Sequence, residues 1–170
     1  MNTEKKNIKN FFYATKFVPE GSETFCSFMK KLKLNEDIFA DLASVLSEKI
    51  KPFKNNFDIF VSVPKYKKVD SEIDYSEKLA DILSSKLNIP YEKKIISKIK
   101  DTKKLKILPN SNRLLEISSA FKLNNDKYKR ICIVDDVYAS GATIQEMVKT
   151  LNNANITDIY VAVLVLQSQN

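Results

Sequence analysis

The sequence predicts an α/β fold with a central parallel β-sheet flanked by helices, and three observations predict it. Ile131 to Val134 is a short unbroken apolar run, and Ile144, Met147, Val148 and Leu151 then recur at helical spacing. After a turn over Asn152 to Thr157, Ile159 to Leu166 is a second run of almost unbroken apolar character. Strand, helix and strand in this order make a parallel pair, because parallel neighbours need a long crossover. Strands apolar on both faces belong in a sheet covered on both sides. Ligands in such sheets sit at the carboxyl ends of the strands.

The remaining elements follow from the amino terminus. Ile8 to Lys16 reads as a strand, and Phe25, Phe28, Met29 and Leu32 mark a short helix. Asn35 is a plausible cap for a second helix, whose core face is Ile38, Leu42, Val45, Leu46 and Ile50. Asn55 and Asn56 supply a turn before an apolar strand over Phe57 to Val63. Tyr75, Leu79, Ile82, Leu83 and Leu87 give a third amphipathic helix, closed by Asn88 and Pro90. A weaker strand is expected around Lys94 to Ile99 and a short helix over Arg113 to Ser118. No repeat or linker divides the 170 residues, of which 44% are hydrophobic, so one domain is expected.

Composition removes several chemistries. There is no histidine, which rules out Ser-His-Asp and Cys-His catalysis and the commonest metal ligand. Cys26 and Cys132 form no C-x-x-C pair, so neither a disulfide framework nor a zinc ribbon is indicated. A formal net charge of +7 favours anionic partners without choosing among metabolites and nucleic acids. Met1 to Asn10 is polar and lysine-rich, without the apolar run of a signal peptide, and no stretch is long enough to span a membrane. The cytoplasm is the default expectation.

At the carboxyl edge of the predicted sheet stands Ile131-Cys132-Ile133-Val134-Asp135-Asp136-Val137-Tyr138-Ala139-Ser140-Gly141-Ala142-Thr143. The loop delivers Ser140, Gly141 and Thr143 to the first turn of a helix, where free N–H groups and the macrodipole attract a phosphate. Gly141 permits close approach, and the two hydroxyls add donors. Two carboxylates cannot bind that phosphate, so Asp135 and Asp136 are expected to face a ribose diol or a hydrated divalent cation. Only Gly21 and Gly141 occur, so neither a dinucleotide-binding G-x-G-x-x-G nor a P-loop can exist. On average composition, D-D-x-x-x-[ST]-G-x-T arises by chance in roughly a few chains in ten thousand. The bland alternative is an acidic strand end that merely caps a helix, but capping needs only one such side chain.

Ile-Val-Asp-Asp-Val-Tyr-Ala-Ser-Gly-Ala-Thr resembles the phosphoribosyl pyrophosphate signature of type I phosphoribosyltransferases, and of their ComF-like group in particular. The resemblance extends from about Ile59 to Val165 and implies a five-stranded parallel core with a small hood, contributed by about residues 1–35. It implies that Asp135 and Asp136 hold the ribose hydroxyls, with Mg²⁺ bound indirectly through ligand or water. Val137, Tyr138 and the loop Ala139 to Thr143, including Ala142, would wrap the 5-phosphate. Pro64 and Lys65, with Lys67 and Lys68, are similar to the pyrophosphate loop. Lys98-Ile99-Lys100-Asp101-Thr102 is similar to the flexible catalytic segment, Lys100 being its basic residue and expected to be catalytic by neutralising the departing charge, and Arg113 to the arginine that follows it. The implied activity is transfer of a phosphoribosyl group between pyrophosphate and a nitrogen acceptor. Where the ComF-like group usually has Arg-Gly-Phe-Asn-Gln, this chain has Ser71-Glu72-Ile73-Asp74-Tyr75. Two-component receiver domains share the acidic pair but need a phosphoacceptor aspartate on a later strand. Only 34 residues follow Asp136 here, with Asp158 their single aspartate.

From Lys93 to Lys106 there are seven lysines against one aspartate. A basic flap over pyrophosphate would look like this, and so would a groove for single-stranded DNA or a plain solvated loop. The expected partners are therefore phosphoribosyl pyrophosphate or a nucleotide, with single-stranded DNA the alternative of a catalytically weak ComF-like competence factor. A homodimer is neither selected nor excluded by the sequence.

Overall fold

Four parallel strands carry the framework in the computed structural model, which describes residues 8–18, 23–66, 73–102 and 116–167. In chain order the elements are β1 (Asn10–Phe17), α1 (Phe25–Leu34), α2 (Glu36–Ile50), a 3-10 turn (Lys51–Asn56), β2 (Ile59–Ser62) and α3 (Tyr75–Leu87). There follow β3 (Ile96–Lys98), β4 (Phe121–Leu123), β5 (Arg130–Tyr138), α4 (Ala142–Asn152) and β6 (Asp158–Gln167). The main sheet has the order β1-β6-β5-β2, every pair parallel. Beyond β2 a single bridge joins Phe60 to Tyr91, so the fifth strand of the expected core is reduced to one contact among the described residues. Pro90 accounts for part of this, since it has no N–H to offer a ladder.

The interior-facing residues of the central strands are almost all apolar, because both faces of the sheet are covered. Phe60, Cys132, Val134, Ala162 and Leu164 pack with Met29, Leu32, Phe39, Leu46 and Leu83 of α1, α2 and α3. On the other face Ile59, Val61, Ile131, Ile133, Val161 and Val163 pack with Ile144, Met147 and Leu151 of α4. Ile96 and Phe121 of the small β3–β4 ribbon, with Ile95 and Ile117 just before its two strands, join this second layer. One backbone hydrogen bond ties ribbon to helix: the N–H of Ser119, at φ 55°, donates to buried Glu146 of α4 at 2.6 Å.

Two expectations change. The resemblance gives about residues 1–35 to a hood, whereas β1 within that stretch is an edge strand of the main sheet, in register with β6 from Asn10 opposite Tyr160 to Phe17 opposite Gln167. Its Phe12, Ala14 and Phe17 bury against the helices, and that burial draws it into the sheet. The strand expected to stop at Val134 instead runs to Tyr138, so both aspartates lie within β5. The apolar run marks only where the strand is buried on both sides.

Helix ends follow the local chemistry. Asn35 accepts from the N–H of Ile38 at 3.1 Å and so starts α2, while its own N–H closes α1 on the carbonyl of Leu32 at 3.3 Å. Asn88 ends α3 in the left-handed conformation, at φ 55°. Asn35→Ala should lower stability by about 1 kcal/mol, read as a fall in the urea midpoint with an unchanged slope.

Candidate functional site

The site is built where β2 and β5 end side by side. Ser62 of β2 stands opposite Val134 of β5, and the N–H of Val63 donates to the Val134 carbonyl at 2.9 Å. The loop leaving β2 therefore starts beside Asp135. Pro64 lies in that loop, and Lys65 donates to the carbonyl of Ile73 at 3.2 Å, which holds it against the start of α3.

Asp74 begins α3, its Oδ1 accepting from the N–H groups of Ser76 and Glu77, each at 3.2 Å. Its other oxygen, Oδ2, is buried with no hydrogen-bond partner among the described residues. The Ser76 hydroxyl donates to Oδ1 of Asp135 at 2.8 Å, joining the start of α3 to the acidic pair. That same oxygen accepts the N–H of Asp136 at 2.9 Å. Burial pushes the Asp135 carboxyl well above the usual carboxylate range, the charge of Asp136 adds to this, and the Ser76 hydrogen bond opposes it. Asp136 is ion-paired with Lys33 from the last turn of α1. The Lys33 ammonium also lies 4.8 Å from the centre of the Tyr75 ring, and the Tyr75 hydroxyl donates to the Lys33 carbonyl at 2.8 Å.

Beyond the acids, β5 ends at Tyr138, and Ala139 and Ser140 lead to Gly141, which starts α4 at φ 77° without a side-chain cap. The left-handed conformation requires glycine, since any Cβ there adds about 1–2 kcal/mol. A Cβ would also overlap the Tyr138 hydroxyl, because that ring folds back over the loop, with Phe11 edge-on at 4.9 Å. Gly141, at the cap position, supplies no side-chain oxygen to the first N–H groups of α4. Val137 stays in the sheet, opposite Val165 of β6.

The structure brings Asp135, Asp136, the 139–143 loop, Pro64 and Lys65 to one edge. Lys100 is directed elsewhere, to the carbonyl of Glu116 at 2.9 Å on the approach to β4. Its neighbour Lys98 is the half-buried lysine of that segment, donating to the Thr102 hydroxyl at 2.7 Å. Burial holds its ammonium below the usual lysine range, against the opposing pull of Asp101 and Glu116. Lys67, Lys68 and Arg113 lie outside the described residues.

Sequence reasoning missed Lys33, Tyr75 and Ser76. For Ser76 a signal existed: Asp74-Tyr75-Ser76-Glu77 has the spacing of a capping box and so announces a helix start beside the loop after β2. Lys33 carried none, being one of several lysines on a short helix.

This fold and this strand-end site define a class, and comparison with known proteins agrees: residues 29–170 match the Phosphoribosyl transferase domain, and the chain belongs to that family. The architecture is the type I phosphoribosyltransferase fold, a parallel sheet between helices. The ComF-like resemblance is met by Competence protein F of Haemophilus influenzae, 32% identical over 90 residues, covering 48% of this chain and 39% of that one. The chain thus spans about two fifths of that relative's length. Among solved structures, a purine phosphoribosyltransferase from Pyrococcus horikoshii Ot3 is similar at TM-score 0.47 and 17% identity, over 78% of this chain and 74% of that one. No described helix is long and apolar enough to cross a membrane.

The raised Asp135 pKa has a definite sign. The fold favours the protonated carboxyl, so its ionisation costs stability progressively from the ordinary aspartate range upward, through the folded-state pKa, and constantly above it. Asp135→Asn, which keeps an acceptor for Ser76, should therefore raise the melting temperature at neutral pH. The gain over wild type should shrink to nothing as the pH falls through the ordinary aspartate range, checked by melting both proteins across pH.

Proposed function

We propose that this protein binds phosphoribosyl pyrophosphate and transfers its phosphoribosyl group to or from a nitrogen acceptor. The observation that carries the reading is the uncapped start of α4 behind left-handed Gly141, placed directly after a pair of strand-end carboxylates. In this reading the 5-phosphate takes the amides of Ala139 to Thr143 and the hydroxyls of Ser140 and Thr143, where the helix dipole favours its charge. Asp135 and Asp136 accept hydrogen bonds from the ribose hydroxyls, and the loop with Pro64 and Lys65 lies toward the pyrophosphate.

In the reaction the bond from ribose C1 to the pyrophosphate oxygen breaks, and the oxygen keeps the electron pair. A bond from the acceptor nitrogen to C1 forms, and the nitrogen then loses its proton. The reacting carbon passes through an oxocarbenium-like state, so the protein's work is to position the two partners and to balance negative charge as it moves onto the leaving group. None of this requires histidine. Among the described residues no cluster of three or more Cys, Asp or Glu side chains could cage a metal. Two adjacent carboxylates suit instead a cation whose other ligands are water and the substrate's own oxygens. Bound in that way, Mg²⁺ would neutralise pyrophosphate charge.

Titration calorimetry with phosphoribosyl pyrophosphate should show binding that strengthens with Mg²⁺. Asp135→Asn with Asp136→Asn should weaken it by at least about a hundredfold, the loss expected for two charge-assisted hydrogen bonds. Unaltered affinity in the double variant would remove the ribose role of the pair.

A second reading is favoured by the name of the Haemophilus relative, Competence protein F. Here the ligand site is kept, turnover is weak, and the lysines from Lys93 onward hold single-stranded DNA. Salt-dependent retention of an oligonucleotide, without pyrophosphate release on a panel of bases and amines, is the result expected. Pyrophosphate release with any of them would favour the first reading.

A further inference from the structure

Lys33 is ion-paired with Asp136, the carboxylate read above as an acceptor for a ribose hydroxyl. The Asp136 side chain is only 13% exposed, while that of Lys33 is 32% exposed. The Tyr75 hydroxyl fixes the backbone of Lys33, and the Tyr75 ring lies 4.8 Å from the ammonium and adds a cation–π attraction. Tyr75 is itself packed against buried Phe39, with ring centres 5.6 Å apart. The nearby Lys78 is already engaged with Glu36 at 2.8 Å, so it does not compete for Asp136.

A ligand hydroxyl that binds Asp136 competes with this ammonium for the charge of the carboxylate, whose Oδ2 the lysine holds. A neutral hydroxyl offers the carboxylate less than the ammonium did, and it leaves Lys33 without a counter-charge in a partly desolvated position. The exchange is unfavourable for a sugar with nothing charged at C1. It becomes favourable when the carbon next to the 2-hydroxyl carries an anion, because the lysine, on its flexible four-carbon stem, can turn from the carboxylate to that anion.

We propose that Lys33 is a specificity-determining residue that makes occupation of the ribose site conditional on an anionic group at C1, so that phosphoribosyl pyrophosphate is accepted over ribose 5-phosphate. This rests on the reading of Asp136 as a ribose-binding acid and adds a selectivity device to it. Lys33 acts first as the internal ligand of Asp136 and then as a direct partner of the pyrophosphate.

The test compares the affinities of phosphoribosyl pyrophosphate and ribose 5-phosphate, at fixed Mg²⁺, for wild type, Lys33→Met, Lys33→Gln and Lys33→Arg, with thermal melts to establish folding. Wild type should prefer the pyrophosphate ligand. In Lys33→Met that preference should shrink by at least about tenfold, the scale of one charge-assisted contact, with ribose 5-phosphate bound as well as before or better. Lys33→Gln supplies the same measurement through a polar isostere, and Lys33→Arg should restore most of the preference. A preference unchanged in both neutral variants, or an equal loss for both ligands, overturns the role of Lys33 while leaving the site standing. Wild type that binds neither ligand overturns the site and this inference together.

Discussion

The parallel pairing of β5 between β2 and β6 is the constraint on which the rest of the structure depends. Because the three strands run the same way, their carboxyl ends finish on one edge, and loops far apart in sequence start as neighbours there. The pairing is enforced by burial: Ile59, Ile131, Ile133, Ile159 and Val161 are all excluded from water, and a slip of one residue would exchange the contents of both helical layers. That same rigidity lets Gly141 hold a left-handed turn at φ 77° and present a helix start without a side-chain cap. A loop at a strand end is only as precisely placed as the strand behind it.

Electrostatic tension at this edge is managed by neighbours rather than by solvent. Adjacent aspartates repel, and burial makes ionisation of Asp135 harder still. The fold answers with two different devices, a neutral donor from α3 for one carboxylate and a cation from α1 for the other. The price in stability is the kind that sites built for ligands commonly carry. Glu146 shows the contrasting structural use of a buried acid, accepting a backbone N–H and so pinning the β3–β4 ribbon to α4.

Much of this was legible in the sequence because the signals were local. The strand, the glycine and the hydroxyls of the 131–143 stretch declare themselves by spacing, and Asn35 and Asn88 stop and start helices where their side chains and backbone preferences say they should. Long-range pairing was less visible. The alternation of β1 resembles any half-buried strand, and nothing in it says that β6 will be its neighbour. Among the described residues the fifth strand is represented by the Phe60–Tyr91 bridge alone, which a family resemblance cannot foresee. Lys100 and Lys98 look alike in sequence, yet only the fold reveals which one is half-buried. Lys33 belongs to the same class of surprise: a partner brought over a hundred residues along the chain leaves no local trace.

The double duty of Asn35 has a dynamic side. With α1 closed and α2 opened by one residue, and the Lys33 carbonyl tethered to Tyr75, the corner between the two helices has no slack. The departure of the ammonium from Asp136 proposed above then needs only side-chain torsions of Lys33, without the slower shift of a helix. The corner that carries the lysine can therefore stay fixed while its side chain moves.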